Sequence, residues 1–380
     1  MQEQIYFDYN STTPVDDRVL NSMLPYFTKK FGNPASATHL YGRTTNSIVK
    51  SSREKIAKFL GCEPDEIYFT SGSTESINFL IRGIIENYAG KGNHIITAKT
   101  EHKAVLDVCC YLEEKKLAEL TVLGVDMEGN IDLNELERAI RPDTVLVALM
   151  HANNETGVIH PVEEIAEICK RYGVIFFSDV TQSAGKLRID VNEIGFDAAC
   201  ISAHKMYGPK GIGAVFIRRK NPRVIPAPLI RGGGHEKGFR SGTLNVPGIV
   251  GLTTACEIAH EEMWEDNMRV SKLRGKFEHQ ILDFAGVRIN GGTRNRLYNT
   301  SNICFEGRNS ADLLKQLYAF AVSFGSACTS LENKPSHVLT AMGLNDAELK
   351  SCIRFSFGKY TTDVEIESLI QAIKKIYQNE

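Results

Sequence analysis

Through the middle of the chain, short apolar runs rich in β-branched residues alternate with stretches whose apolar positions recur every three to four residues. The runs NHIITAKT (93–100), LTVLGVD (120–126), TVLVALMH (144–151), VIFFSDV (174–180), AACISAHK (198–205) and GAVFIRR (213–219) predict strands. DLNELERAI (132–140) and PVEEIAEICKRYG (161–173) predict helices between them. Strands that are apolar nearly throughout must be covered on both faces, so this alternation predicts a largely parallel sheet flanked by helices. From about residue 246 to 284 the pattern turns helical, and shorter strands and helices follow, ending in VEIESLIQAIKKIYQN. The expected division is a large domain over 16–255 and a smaller α/β domain built from 1–15 and 256–380.

Bulk properties narrow the function classes. The chain has 380 residues, enough for two cores, and a formal net charge of −2, which gives no general attraction to nucleic acid or an anionic membrane. The start, MQEQIYFDYN, lacks a basic stretch followed by an apolar run, and no segment holds eighteen uninterrupted apolar residues. No export signal and no membrane span are expected. The nine cysteines contain no Cys-x-x-Cys, and the adjacent pair Cys109 and Cys110 lacks finger-like spacing. Reduced thiols in the cytoplasm are the expectation.

Candidate chemistry begins at EIYFTSGSTESINFLIRGII, a strand, a small polar turn from Ser71 to Ser76, and a helix. Amide groups at such a junction suit a phosphate, with Ser73 and Thr74 adding hydroxyls; a plain capped helix start with Glu75 and Ser76 in its first turn is the bland alternative. The turn is no Walker A loop, since it lacks the closing Gly-Lys-Ser or Gly-Lys-Thr. Further on, VIFFSDVTQSAGK sets Asp179 at the carboxyl end of a strand with Gln182 three residues later, and SAHKMYGPKG brings Ser202, His204 and Lys205 to an equivalent level. Ligands of parallel α/β sheets sit at that end of the strands. A carboxylate, an amine and a phosphate site offered together match pyridoxal phosphate, whose ring nitrogen, aldehyde and phosphate need those three groups.

These segments, with YFDYNSTTP, FGNPAS, KTEHKAVL, HANNETG, GGGHEKGFRSGT and GSACTS, closely resemble the cysteine desulfurases of the IscS/NifS type, class V members of the fold-type I pyridoxal-phosphate enzymes. The resemblance runs through nearly the whole chain. It implies a large domain with a mostly parallel seven-stranded sheet, a smaller α/β domain, a homodimer, and conversion of L-cysteine to L-alanine with the sulfur left as a persulfide on Cys328. By the same resemblance Lys205 is the Schiff-base lysine, Asp179 the partner of the pyridinium nitrogen and Gln182 that of the phenolic oxygen. His102 stacks on the ring and exchanges protons. Ser73, Thr74, Ser202 and His204 hold the phosphate, with Thr243 reaching in from the neighbouring subunit. Asn154 and Arg354 position the substrate, Arg354 clamping its carboxylate, and Asn33 lines the same pocket.

Cys328 lies in VSFGSACTSLENKPSH (322–337), a segment of small and polar residues that reads as a surface loop. A thiol that must reach the cofactor and then an acceptor belongs on such a loop rather than in a core. Two departures from the family pattern stand out, Phe324 where a small residue is usual and Lys359 where arginine is usual. The chain also stops at IKKIYQNE, before the tail that many IscS-type enzymes use to dock an iron–sulfur scaffold, so a different surface or acceptor is expected. A selenocysteine lyase or another class V enzyme shares most of this site. An iron–sulfur-binding or catalytically silent partner, with Cys328 as a transient cluster ligand, is the alternative from another class. The basic run RRKNPR (218–223) reads as a solvated turn, RGGGHEKG (231–238) as a loop near the mouth of the site, and the remaining eight cysteines as bystanders.

Overall fold

A computed structural model describes residues 4–292, 294–324 and 335–378. Twelve strands occur among them: β1 (Ile5–Tyr6), β2 (Ile67–Thr70), β3 (His94–Ala98), β4 (Glu119–Leu123), β5 (Thr144–Ala148), β6 (Ile175–Asp179), β7 (Ala198–Ser202), β8 (Gly213–Ile217), β9 (Val287–Asn290), β10 (Thr300–Phe305), β11 (Phe320–Ala321) and β12 (Cys352–Ser356). Seven form one sheet in the order β2-β8-β7-β6-β5-β3-β4. Only β8 opposes the others, being antiparallel to both β2 and β7. Each predicted strand run is present, two or three residues shorter; in β3, β5, β6 and β7 the residues that close the run leave the ladder to form loops at the sheet's carboxyl edge.

Side-chain alternation buries this sheet on both faces. Ile95, Phe177, Cys200 and Val215 join Ile77, Leu80, Ile84 and Val108 of the helices Ser73–Tyr88 and Lys103–Glu114 on one face. Ile96, Phe176, Ile201 and Phe216 join Val49, Ile56, Ile165 and Leu252 of Leu40–Leu60, Val162–Tyr172 and Val246–Ile281 on the other. Full burial of a phenylalanine such as Phe176 or Phe177 contributes roughly 2–3 kcal/mol, so the two cores carry most of the drive to fold. The helix Val162–Tyr172 shows how local signals agree: acidic Glu163 and Glu164 in its first turn, Lys170 and Arg171 in its last, and Gly173 at φ 68° closing it through bonds to the carbonyls of Cys169 and Lys170.

The 36-residue helix Val246–Ile281 starts with Asn245 capping the amide of Gly248 at 3.0 Å. Its first half packs under the large sheet through Ile249 and Leu252; its second half, through Val270, Phe277 and Ile281, enters a separate cluster with Phe7, Phe355, Phe357, Leu369 and Ile373. That cluster lines the antiparallel sheet β12-β10-β9. The expected boundary at 255/256 therefore falls within one continuous helix. The amino-terminal segment returns to this region, since β1 pairs with β11 in parallel register, Ile5 with Phe320. No helix among the described residues is long and apolar enough to cross a membrane.

Two buried imidazoles behind the carboxyl ends of β5 and β6 set an acid limit on stability. Burial pushes His160 down to about 4, and burial with the neighbouring His160 does the same to His151. Native rings stay neutral while the unfolded chain takes up protons below about 6.5, so this contribution is complete above that pH and is lost as pH falls toward 4. The slope approaches roughly 1.4 kcal/mol per pH unit for each ring. The urea midpoint should fall between pH 7 and pH 5, and fall less in His160→Gln; equal falls in the two proteins would remove His160 from the account.

Candidate active site

The carboxyl ends of β2, β5, β6 and β7 open onto one cavity of about 390 Å³. Its wall includes Ser73, Thr74, His102, Asn154, Asp179, Gln182, Ser202, His204, Lys205 and Arg354, ten residues from six separate stretches of chain. Asn33 is exposed, accepts a bond from the amide of Ala35, and is not part of the wall; Thr243 is likewise exposed and outside it. Cys328 lies outside the described residues.

At one end of the cavity, β2 runs through Ser71 and Gly72 into the amino terminus of Ser73–Tyr88. Gly72 has φ 149°, a conformation in which a side chain is strained, and β8 presses against it: a Cβ on Gly213 would stand 2.8 Å from the Cα of Gly72 and 2.5 Å from the carbonyl oxygen of Ile201. Glycines at both positions let the two backbones meet and leave the first amides of the helix facing the cavity. Ser73 Oγ lies 2.5 Å from Thr181 Oγ1, which ties this cradle to the loop after β6. Glu75, in the same first turn, accepts from the Ser71 amide at 2.9 Å and pairs with Arg240 at 2.8 Å. Burial alone would raise its carboxyl, but Arg240 and the Ser71 amide outweigh it and hold it below the usual range. Arg240 also fastens the stretch after RGGGHEKG to the rim; deeper in that loop Glu236 is buried against Arg53 at 2.6 Å and accepts from the Phe69 amide at 2.8 Å.

At the centre, Asp179 ends β6, is buried, and accepts from the amide of Thr181 at 3.0 Å. Lys205 ends a single turn, Ala203–Lys205, after β7, and its Nζ donates to the carbonyls of Asn10 and Ser11 at 2.6 Å each. His102 caps Lys103–Glu114, its Nδ1 accepting from the Ala104 amide at 3.1 Å, so a neutral ring carries its proton on Nε2. Burial holds this ring below its ordinary value, with Asp179 opposing and Lys205 assisting. His204 is pushed down to about 4 by burial and by Lys205 and Lys210, and its Nδ1 meets Thr12 Oγ1 at 3.1 Å.

At the far end, Arg354 of β12 is almost wholly enclosed, 1% exposed. Its guanidinium donates to Asp8 at 2.6 Å, Ser11 Oγ at 2.8 Å and the carbonyl of Asn154 at 3.0 Å, while Nε has no partner. A buried donor left over beside a cavity is suited to a carboxylate that arrives from outside. Ser323 exchanges backbone bonds with Arg354 at 2.7 and 3.2 Å, and at the other end of the segment 322–337 Ser336 Oγ donates to Glu155 at 2.5 Å while His337 Nε2 meets the carbonyl of Glu101 at 2.8 Å. Burial pushes the Glu101 carboxyl well above the usual range.

The amino-terminal segment is the part of the site that sequence reading left unassigned. YFDYNSTTP supplies Asp8 to Arg354, Thr12 to His204, and the backbone oxygens of Asn10 and Ser11 to Lys205. Carbonyl acceptors have no side-chain signature; only the presence of the motif itself could have pointed here.

A family model described as aminotransferase class-V matches residues 5–369. The chain belongs to that family. A protein named cysteine desulfurase IscS from Mannheimia succiniciproducens is 48% identical over 376 residues, 98% of this chain and 93% of the relative. Among solved structures, a NifS-like protein superposes with a TM-score of 0.92 at 39% identity, covering 99% of this chain and all of the other. The structure described as SspA in complex with cysteine gives 0.83 at 38% identity, covering 94% and 100%. The cofactor of class V enzymes is pyridoxal phosphate, and the cavity fits it: a helix amino terminus with hydroxyls, a buried carboxylate and a lysine amine stand around a space of suitable size.

Proposed function

We propose that this class V chain is a pyridoxal-phosphate-dependent cysteine desulfurase that releases L-alanine and carries the sulfur as a persulfide on Cys328. The observation that carries the reading is the meeting of Lys205, Asp179, the Ser73 helix start and Arg354 in one cavity, in a chain similar to cysteine desulfurases over nearly its full length. When bound, pyridoxal phosphate supplies an electron sink for the substrate's α-carbon. Ser73, Thr74, Ser202 and His204 would hold the phosphate and Asp179 the ring nitrogen, whose positive charge it favours. His102 would cover the ring and Gln182 bond the phenolic oxygen.

Lys205 Nζ would hold the aldehyde carbon and, released by the substrate amine, take the α-proton. Arg354 and Asn154 orient the amino acid through its carboxylate. The Cys328 thiolate attacks the substrate sulfur; a sulfur–sulfur bond forms, the carbon–sulfur bond breaks, its electron pair stays with carbon, and a proton delivered there completes alanine. His102, neutral and close to Lys205 and Asp179, is the group proposed to exchange protons at that end.

The finer assignments rest on supporting features. Separate apolar clusters support a large domain over 16–255 and a smaller one over 1–15 and 256–380. A homodimer is supported by the exposed Leu24, Phe27, Phe31, Leu40 and Tyr41 in one stretch of chain, and by Thr243, which is exposed and outside this chain's own cavity wall. Free thiols at all eight described cysteines support action in the reducing cytoplasm. The persulfide would pass to an acceptor protein of iron–sulfur cluster assembly.

The test uses the purified chain loaded with pyridoxal phosphate. Adding L-cysteine should change its visible absorbance and yield alanine, with sulfide accumulating when a thiol reductant is present. A spectrum unmoved by L-cysteine, with no alanine formed, would overturn the reading.

A further inference from the structure

Lys186 belongs to the DVTQSAGK motif but lies behind the cavity wall, outside the machinery described above. Its side chain is 8% exposed, and among the described residues no carboxylate stands within ion-pair distance of it. A buried lysine without a counter-ion is costly, so the fold must give its donors a use. Lys186 Nζ donates to the backbone carbonyl of Gln182 at 2.9 Å and stands 3.5 Å from that residue's side-chain oxygen, Oε1. On the other side of the amide, Gln182 Nε2 donates to the carbonyl of Asn10 at 2.9 Å. That same carbonyl accepts from Lys205 Nζ at 2.6 Å.

We propose that Lys186 is a positioning residue, the anchor of a chain Lys186–Gln182–Asn10–Lys205 that fixes which way the Gln182 amide faces and where Lys205 rests. A flipped amide would set its NH₂ against the amine of Lys186 and its oxygen against the Asn10 carbonyl, so both contacts select the orientation with nitrogen outward. Gln182 Nε2 has two hydrogens; one is held by Asn10 and the second is left for an acceptor in the cavity. Burial, with Lys205 adding to it, pushes the Lys186 amine down to about 7, and it keeps two donors whether protonated or neutral. The turn is built for this contact. Gly185 sits at φ 76°, where a Cβ would come within 2.9 Å of Met206 Cβ, and the tight bend returns Lys186 over Gln182.

The inference rests on the pyridoxal-phosphate reading, and the experiment separates the two. Cofactor-free wild type, Lys186→Met, Gln182→Ala and the double variant are titrated with pyridoxal phosphate, recording dissociation constant and visible peak position, with thermal melting as a fold control. Lys186→Met should weaken cofactor binding about tenfold and shift the peak, the loss expected for one disordered hydrogen bond. Added to Gln182→Ala, it should cost less than about twofold, because the residue it orients is already gone. Lys186→Gln, which keeps a donor, should recover part of the affinity, and it replaces Lys186→Met in the cycle if that protein does not fold. Wild-type affinity and peak in the lysine variant, or penalties that multiply in the double variant, would overturn the role of Lys186. A wild type that takes up no pyridoxal phosphate would instead overturn the cofactor reading.

Discussion

Lys205→Ala should lower alanine production from L-cysteine by on the order of a thousandfold or more, since it removes both the attachment point for the aldehyde and the base for the α-proton. The visible band of lysine-linked cofactor should vanish with it, while pyridoxal phosphate stays held noncovalently by the cradle at Ser73 and by Asp179. No neighbouring amine among the described residues is placed to substitute. Lys210 also lines the cavity, but its Nζ is drawn to the carbonyl of Thr13 at 3.3 Å, and Lys186 is held behind the wall by Gln182. The fold should survive, because Lys205 stands in the cavity wall, where its amine donates to the backbone oxygens of Asn10 and Ser11. A Lys205→Ala protein that desulfurates L-cysteine at a comparable rate would defeat the assignment.

Cys328→Ser should separate binding from sulfur transfer. The variant should take up pyridoxal phosphate, change its spectrum with L-cysteine, and then stall, with alanine formation reduced by on the order of a hundredfold, because no second thiolate receives the sulfur. The other thiols are poorly suited. Burial pushes Cys109, Cys169, Cys200 and Cys256 up and shields them from any substrate. Cys304 is lowered by its contact with Cys352, yet both are enclosed in a small core with Val338 and Met342. Cys110 is exposed but lies on Lys103–Glu114, away from the cavity wall. Mass spectrometry after brief exposure to L-cysteine should find one added sulfur atom on the peptide containing Cys328. The added atom on a different peptide, or full alanine yield from Cys328→Ser, would show that this cysteine is not the carrier.

What the sequence determined by itself was whatever depends on local order. Runs such as VIFFSDV and AACISAHK are apolar on both sides, which forces a sheet covered on two faces, and the polar residues that end them fall at the sheet's carboxyl edge, where Asp179 and Lys205 stand. The Ser71–Ser76 turn between strand and helix was legible for the same reason, because small residues and hydroxyls at a helix start report their own backbone geometry. What only the tertiary structure decided was which distant segments meet. The reversed direction of β8, the 36-residue helix shared by two apolar clusters, and the passage of residues 8–13 across the site depend on packing between elements far apart in the chain. Asp8 and Arg354 are 346 residues apart yet form an ion pair, and Gln182 and Lys205 converge on the Asn10 carbonyl through bonds that no spacing rule encodes. Side-chain type and periodicity are written in each residue and its near neighbours, whereas a backbone oxygen becomes an acceptor for a lysine only once the fold has carried it there.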